Sequence, residues 1–186
     1  MFTNAARTTN WGNTTGNELT GNGDANITVY GQITAGQTVA PGTYTDTIST
    51  ATTSFTVTVM IQATCTISAT ALNFGNYSGV LINASSALTI NCTNKTVFDI
   101  GLNAGTAAGA TVTTRQMTGP GGVKLNYSIT QDSKGQINWG NTIGTDIVQK
   151  TGTGIGVQYP VYGQLPQGQL VTPGLYTDTI TATVTY

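Results

Sequence analysis

Hydrophobic and polar residues alternate with a period of two along much of this chain, most clearly at its C-terminal end. The predicted strand at 175–186 carries threonines on one face and, on the other, Tyr176, Ile180, Ala182, Val184 and Tyr186. Shorter runs with the same period predict strands at 72–74, 88–92, 98–102, 123–129 and 154–158, separated by Gly, Pro and Asn. Because no stretch has helical spacing, the pattern predicts an all-β protein built as a β-sandwich.

An internal repeat organises the chain. Three blocks of the first fifty residues recur in the same order: 10–14 at 138–142, 29–33 at 161–165, and 41–48 at 173–180. The offset is 138 − 10 = 128 for the first block and 161 − 29 = 173 − 41 = 132 for the others, so one loop differs by four residues. We infer a duplicated domain in which residues 1–53 are the C-terminal half of the first copy and residues 63–186 are the complete second copy.

A change of phase marks the seam between the copies. Tyr44 and Ile48 lie at even positions, whereas a second apolar run lies at odd positions: Phe55, Val57, Val59 and Ile61. One strand cannot keep both sets on the same face after a one-residue slip. The pattern therefore predicts that one strand ends near 50–54 and that a separate amphipathic strand forms a linker at 54–62.

Composition excludes several classes of function. The chain has Lys+Arg 6 against Asp+Glu 7, a net charge of −1, and only 7% charged residues. Six scattered cations make no basic stripe for nucleic acid and no polybasic patch for an anionic membrane. No apolar run is long enough to span a bilayer, and no signal peptide is visible at the N-terminus, so for a secreted protein we expect that a leader has been removed or was never included.

The residues that usually carry chemistry are scarce. The chain has no His, one Glu and six Asp, so we expect no catalytic site, no metal site and no cofactor. Asp46 and Asp178 repeat, and a repeated Asp favours a position required by the fold. Trp11 and Trp139 could stack on a sugar, but their identical settings favour packing. Arg115 is either an interface anchor or a solvated cation at a strand end.

The two cysteines, Cys65 and Cys92, lie in alternating runs without a CxxC partner. This setting indicates a structural pair, either joined as a disulfide or buried as two reduced thiols. A disulfide would indicate an oxidising compartment, and by the chain-entropy estimate would contribute about 3–4 kcal/mol.

Many short blocks of the chain together resemble the spore coat protein U family, which includes the Csu-type pilins of archaic chaperone–usher pili. They are Cys65 with 72–77, Cys92-Thr93, 115–117, 125–127, Trp139-Gly140, 161–166 and 173–179. The match spans essentially all of 63–186, and its second half is repeated in 1–50. Residues 1–50 match only the back half of a domain, so a truncated first domain is expected.

The resemblance implies an incomplete immunoglobulin-like sandwich that a strand from a neighbouring subunit completes. It implies that Cys65 and Cys92 form a disulfide and that Phe55, Val57, Val59 and Ile61 match the donor strand. The C-terminal strand would then flank the acceptor groove with Ile180, Ala182, Val184 and Tyr186. Joined to the preceding copy, the donor strand could instead complete that copy within the chain, as in a two-domain tip subunit.

The implied function is that of an adhesive structural subunit of a secreted surface fibre, serving attachment and biofilm formation. Implied partners are neighbouring pilin subunits, a periplasmic chaperone and an outer-membrane usher. Two alternatives stay open from the sequence: a spore-coat or other secreted coat protein, and a monomeric carbohydrate-binding β-sandwich. Tip, shaft and coat roles cannot be separated by pattern alone.

Overall fold

The structure, a computed structural model, describes residues 1–2, 5–8, 10, 27–49 and 54–186. The chain divides into two compact units, Met1–Gln37 and Thr38–Tyr186. In the first unit, Phe2 forms isolated antiparallel bridges with Asn10 and Tyr30. The predicted boundaries at 53, 54 and 63 stay predictions, and Trp11 lies outside the described residues.

The second unit is built from ten strands, and its described residues contain no α-helix. The alternation of apolar and polar residues, and the Gly and Pro residues between the runs, favour strands over helices. The strands are β1 Gly42–Ser49, β2 Ser54–Ile61, β3 Cys65–Ala69, β4 Ile82–Cys92, β5 Val97–Leu102, β6 Arg115–Thr118, β7 Lys124–Thr130, β8 Val148–Thr151, β9 Val157–Leu165 and β10 Ala182–Thr185. One 3-10 turn, Pro120–Gly122, connects β6 to β7.

The strands form two sandwich sheets and one hairpin. The larger sheet has the order β3-β4-β9-β7-β6, the smaller has the order β10-β5-β8, and β1 pairs with β2 alone. Every ladder is antiparallel. The all-β sandwich expected from the sequence is therefore confirmed.

Apolar residues of both sheets meet in one core. Trp139 is only 1% exposed, and its indole Nε1 donates a hydrogen bond to the Ile100 carbonyl at 2.9 Å. This confirms packing as the role of the second tryptophan. Cys65 lies directly opposite Cys92 in the β3–β4 ladder, and the two form the expected disulfide. The bond ties the edge strand β3 to the core strand β4.

The structure corrects three predicted strands. Residues 72–74 are irregular because the Asn73 side chain turns back onto the Gly75 amide, which has φ +72°. Residues 154–156 belong to a crossover between the sheets rather than to a strand, since β8 pairs with β5 and β9 pairs with β4 and β7. The predicted strand at 175–186 is regular only in β10, because its earlier part pairs instead with β6 of the other sheet.

The predicted phase change between 50 and 54 is confirmed, since β1 ends at Ser49 and β2 begins at Ser54. The pairing of β1 with β2 also explains why the apolar residues change from even to odd positions. Tyr44 lies opposite Val59 and Ile48 opposite Phe55, so the even and odd apolar sets share one face of the hairpin.

Candidate strand-acceptor groove

An open groove of about 920 Å³ lies in the sandwich formed by the second repeat. Two irregular segments line it, 70–77 before β4 and 171–181 before β10. The other lining side chains belong to the core strands and include Leu88, Leu102, Leu125, Ile129, Val161 and Leu165. The apolar surface of the groove is thus continuous with the hydrophobic core.

Segment 171–181 is held at both ends by hydrogen bonds. The Tyr176 hydroxyl donates to the Thr172 carbonyl at 2.8 Å, the upstream contact that is typical of a tyrosine corner. Thr177 exchanges backbone hydrogen bonds with Thr118 of β6, at 2.9 and 3.1 Å. Further on, the Asn103 amide donates to the Thr181 carbonyl at 3.1 Å. The segment therefore crosses from β6 in one sheet to β5 in the other.

Asp178 fixes the middle of this crossing. Its Oδ1 accepts hydrogen bonds from the Thr106 amide at 2.8 Å, the Thr106 hydroxyl at 2.9 Å and the Thr179 amide at 2.8 Å. Its Oδ2 accepts the Tyr127 hydroxyl at 2.7 Å. Burial disfavours the charged carboxylate, but the hydrogen bonds from Thr106, Tyr127 and Thr179 outweigh it and lower the pKa of Asp178. In the same pair, burial and the hydrogen bond to Asp178 raise the pKa of Tyr127.

Two glycines make room for the segment. A Cβ on Gly119 would overlap the Tyr176 ring, and a Cβ on Gly105, which has φ +89°, would overlap the Asp178 carboxylate. The close approach of segment 171–181 to the sandwich therefore depends on glycine at both positions.

Arg115 is fully buried, so both roles expected from the sequence are wrong. Its guanidinium donates to four carbonyls: Asn103 at 2.9 Å, Val112 at 2.7 Å, Leu102 at 3.0 Å and Trp139 at 2.7 Å. Burial lowers the pKa of Arg115. The side chain joins β6 to the end of β5 and to the Trp139 turn, next to the groove.

The four C-terminal residues predicted to flank the groove lie in three different settings. Ile180 and Ala182 line the groove, and both pack against the core. Val184 packs against the core but is not part of the groove lining. Tyr186 is 58% exposed. Only the first two of the four predicted residues, Ile180 and Ala182, therefore line the groove.

The four residues matched to a donor strand lie on β2, away from the groove lining. In the hairpin with β1, Phe55 is 39% and Val57 42% exposed, while Val59 and Ile61 are half-buried. The linker after β2 is fixed by Thr93, whose amide donates to the Thr64 carbonyl at 2.9 Å. The structure thus holds β2 in the hairpin with β1.

Sequence reasoning missed the partners of Asp178 and the buried role of Arg115. The repeated Tyr-Thr-Asp-Thr block was the available signal for Asp178, but its partners Thr106 and Tyr127 lie 72 and 51 residues away in sequence. Among the described residues, no cluster of His, Cys, Asp and Glu could hold a metal ion. No helix within the described ranges is long and apolar enough to cross a membrane.

Together, the fold and the groove define a β-sandwich domain whose core is open along one sheet edge. Comparison with protein families shows which family this domain belongs to. The Spore Coat Protein U domain matches residues 1–50 and again residues 51–183. The chain therefore belongs to the spore coat protein U domain family.

The chain is also similar to one protein in sequence and to one solved structure in fold. The chain is 36% identical to Protein U of Myxococcus xanthus over 128 residues, which are 62% of this chain and 71% of that protein. It also resembles a chain in the crystal structure of the CsuC–CsuE chaperone–tip adhesion subunit pre-assembly complex from the archaic chaperone–usher Csu pili of Acinetobacter baumannii. That match has a TM-score of 0.57 and 19% identity, and covers 83% of this chain and 62% of that chain. At this identity the likeness concerns the fold, and it spans less than two thirds of the solved chain.

Proposed function

We propose that this chain is a structural subunit of an extracellular fibre of the archaic chaperone–usher type, assembled by donor-strand complementation. The observation that carries the proposal is the apolar groove of about 920 Å³ alongside segment 171–181 and β10. β10 ends the order β10-β5-β8, so one side of it has no neighbouring strand within the described chain. An exposed sheet edge beside apolar pockets is the arrangement to which an extended strand adds.

The energetic argument concerns the apolar groove lining. Burying four large apolar side chains of an added strand at roughly 1.5–3 kcal/mol each would contribute about 6–12 kcal/mol. That is comparable with the roughly 5–15 kcal/mol stability of a whole domain. A subunit with this groove would gain as much from its neighbour as an ordinary domain gains from folding.

Assembly through the groove implies a route and a set of partners. The subunit would pass through the periplasm to the cell surface, protected by a chaperone and polymerised by an outer-membrane usher. Neighbouring subunits would supply or receive the strand. Residues 1–53 would belong to a first domain, 54–62 to a linker, and 63–186 to the acceptor domain. Two domains favour a tip-like subunit that serves attachment and biofilm formation without enzymatic activity.

Two substitutions on adjacent positions of β10 test the proposal in cells. Ala182 lines the groove, whereas Thr183 is exposed on the other face. We expect Ala182→Glu to abolish incorporation of a tagged chain into surface fibres and Thr183→Glu to leave it unchanged. The fraction of the chain in sheared surface material is the readout. Normal incorporation of the Ala182→Glu chain, at matched expression, would refute strand addition at this groove.

A further inference from the structure

The chain contains a second example of the edge that borders the groove, and that example is already paired. By the offset of 132, β1 repeats residues 174–181, the segment alongside the groove. β1 pairs antiparallel with β2. The register is Tyr44 opposite Val59, Asp46 opposite Val57, and Ile48 opposite Phe55.

The two copies share local structure as well as sequence. Tyr44 donates to the carbonyl four residues upstream at 3.0 Å, as Tyr176 does at 2.8 Å. The Asp46 carboxylate accepts the next backbone amide at 2.8 Å, as the Asp178 carboxylate does at 2.8 Å. These matched bonds give the two copies similar local geometry at the tyrosine and at the aspartate, although β1 is a regular strand and 174–181 is not. The pairing of β1 with β2 is therefore a guide to how a strand adds at 176–180.

The register in the hairpin also suits the groove. Directly opposite residues of an antiparallel pair lie on the same face. Residues 171–180 all line the groove, with Thr177 and Thr179 exposed and Tyr176, Asp178 and Ile180 half-buried. Residues placed opposite these three would therefore enter the groove, and the residues between them would face away.

We propose that the groove takes an extended strand from another polypeptide, antiparallel to 176–180, in the register seen between β1 and β2. This strand carries an aromatic residue opposite Ile180 and β-branched residues opposite Asp178 and Tyr176. The inference rests on the proposed function and specifies the direction and side-chain order of the partner. The strand comes from another chain, because β2 is paired along its whole length with β1 and its exit is held at Thr93.

Cross-linking measures the register directly. The full chain with Ile180→Cys is mixed with a synthetic peptide of residues 54–62 that carries either Phe55→Cys or Thr56→Cys. With oxidised glutathione supplied as the two-electron oxidant, the Phe55→Cys peptide should form the mixed disulfide at least about tenfold faster, because only directly opposite residues reach disulfide distance. A chain with Thr183→Cys, whose side chain is exposed outside the groove, should react with neither peptide preferentially.

A second measurement uses the unmodified chain. The peptide carries a photoreactive benzoyl-phenylalanine in place of Phe55, and the adduct is mapped by mass spectrometry, with residues next to position 180 expected. Binding of the fluorescent peptide is measured separately by anisotropy. Faster reaction of the Thr56→Cys peptide, or adducts at the far end near 172, would overturn the register while leaving strand addition intact. No binding at all would overturn both this inference and the proposed function.

Discussion

The carboxylate of Asp178 offers a sharp test, because its repeat partner Asp46 is a built-in control. The structure gives Asp178 three bonds from outside its own turn, from Tyr127 and from the amide and hydroxyl of Thr106. The carboxylate of Asp46 lies in an exposed strand and accepts the amide of the next residue, Thr47. If these hydrogen bonds stabilise the fold, removing the Asp178 carboxylate will lower the free energy of unfolding far more than removing the Asp46 carboxylate.

Hydrogen bonds to charged groups contribute about 1.5–3 kcal/mol each, and Asp178 is half-buried, which favours the low end. We therefore expect Asp178→Ala to lower the free energy of unfolding by about 3–5 kcal/mol. Asp46→Ala should cost less than about 1 kcal/mol. Urea unfolding, followed by near-ultraviolet circular dichroism with the disulfide intact, measures both. Equal losses for the two variants would refute the reasoning.

The loss of unfolding free energy caused by Asp178→Ala should depend on pH. The pKa of Asp178 is lower in the folded chain than its unfolded value of about 3.9. Its contribution to stability is therefore fully present above about pH 4 and is lost as the pH falls through the folded pKa. The gap in unfolding free energy between the natural chain and Asp178→Ala should be constant from pH 5 to pH 7 and shrink below about pH 4. A gap that widens on acidification would contradict this assignment.

Three further changes probe the frame of the groove. Gly119→Ala should cost about 1–3 kcal/mol because its methyl group meets the Tyr176 ring, whereas Gly156→Ala meets only an ordinary contact; equal urea midpoints would contradict this. Arg115→Lys keeps the charge, but the lysine ammonium cannot bond four carbonyls. We therefore expect the free energy of unfolding to fall by about 2–4 kcal/mol in the same assay. An unchanged midpoint would show that the four guanidinium hydrogen bonds do not contribute to stability. Reducing the disulfide should lower stability by about 3–4 kcal/mol, measured with and without dithiothreitol, and coincident curves would contradict the estimate.

Much of the fold was accessible from local pattern. Period-two alternation found the cores of β4, β5 and β7, where each strand has one face on the hydrophobic interior. The phase slip located the ends of β1 and β2. Period-two alternation failed for β6 and β8, four residues each, which are too short for a periodic signal. It also missed β3 and the part of β9 after residue 158. It also merged 175–186 into one strand, because alternation does not reveal that a segment changes sheets.

The site was less accessible, because long-range contacts define it. The sequence predicted Arg115 as either an interface anchor or a solvated cation, and nothing nearby in sequence signals that it bonds the backbone carbonyls of Leu102 and Trp139. Gly105 and Gly119 are two of 24 glycines, and only the three-dimensional structure shows which of them a side chain would obstruct. The apolar residues of the C-terminal strand were visible, but the groove extends only along Ile180 and Ala182 of the four predicted.

Amide hydrogen exchange of the full chain, with and without a saturating peptide of residues 54–62, tests strand addition at the groove most directly. Amides in 178–184 should exchange several-fold more slowly with the peptide and the melting temperature should rise, because a ligand that binds only the folded state stabilises it. A matched peptide with Val57→Asp and Val59→Asp should do neither. Unchanged exchange along this edge, with the natural peptide demonstrably in excess, would contradict the account.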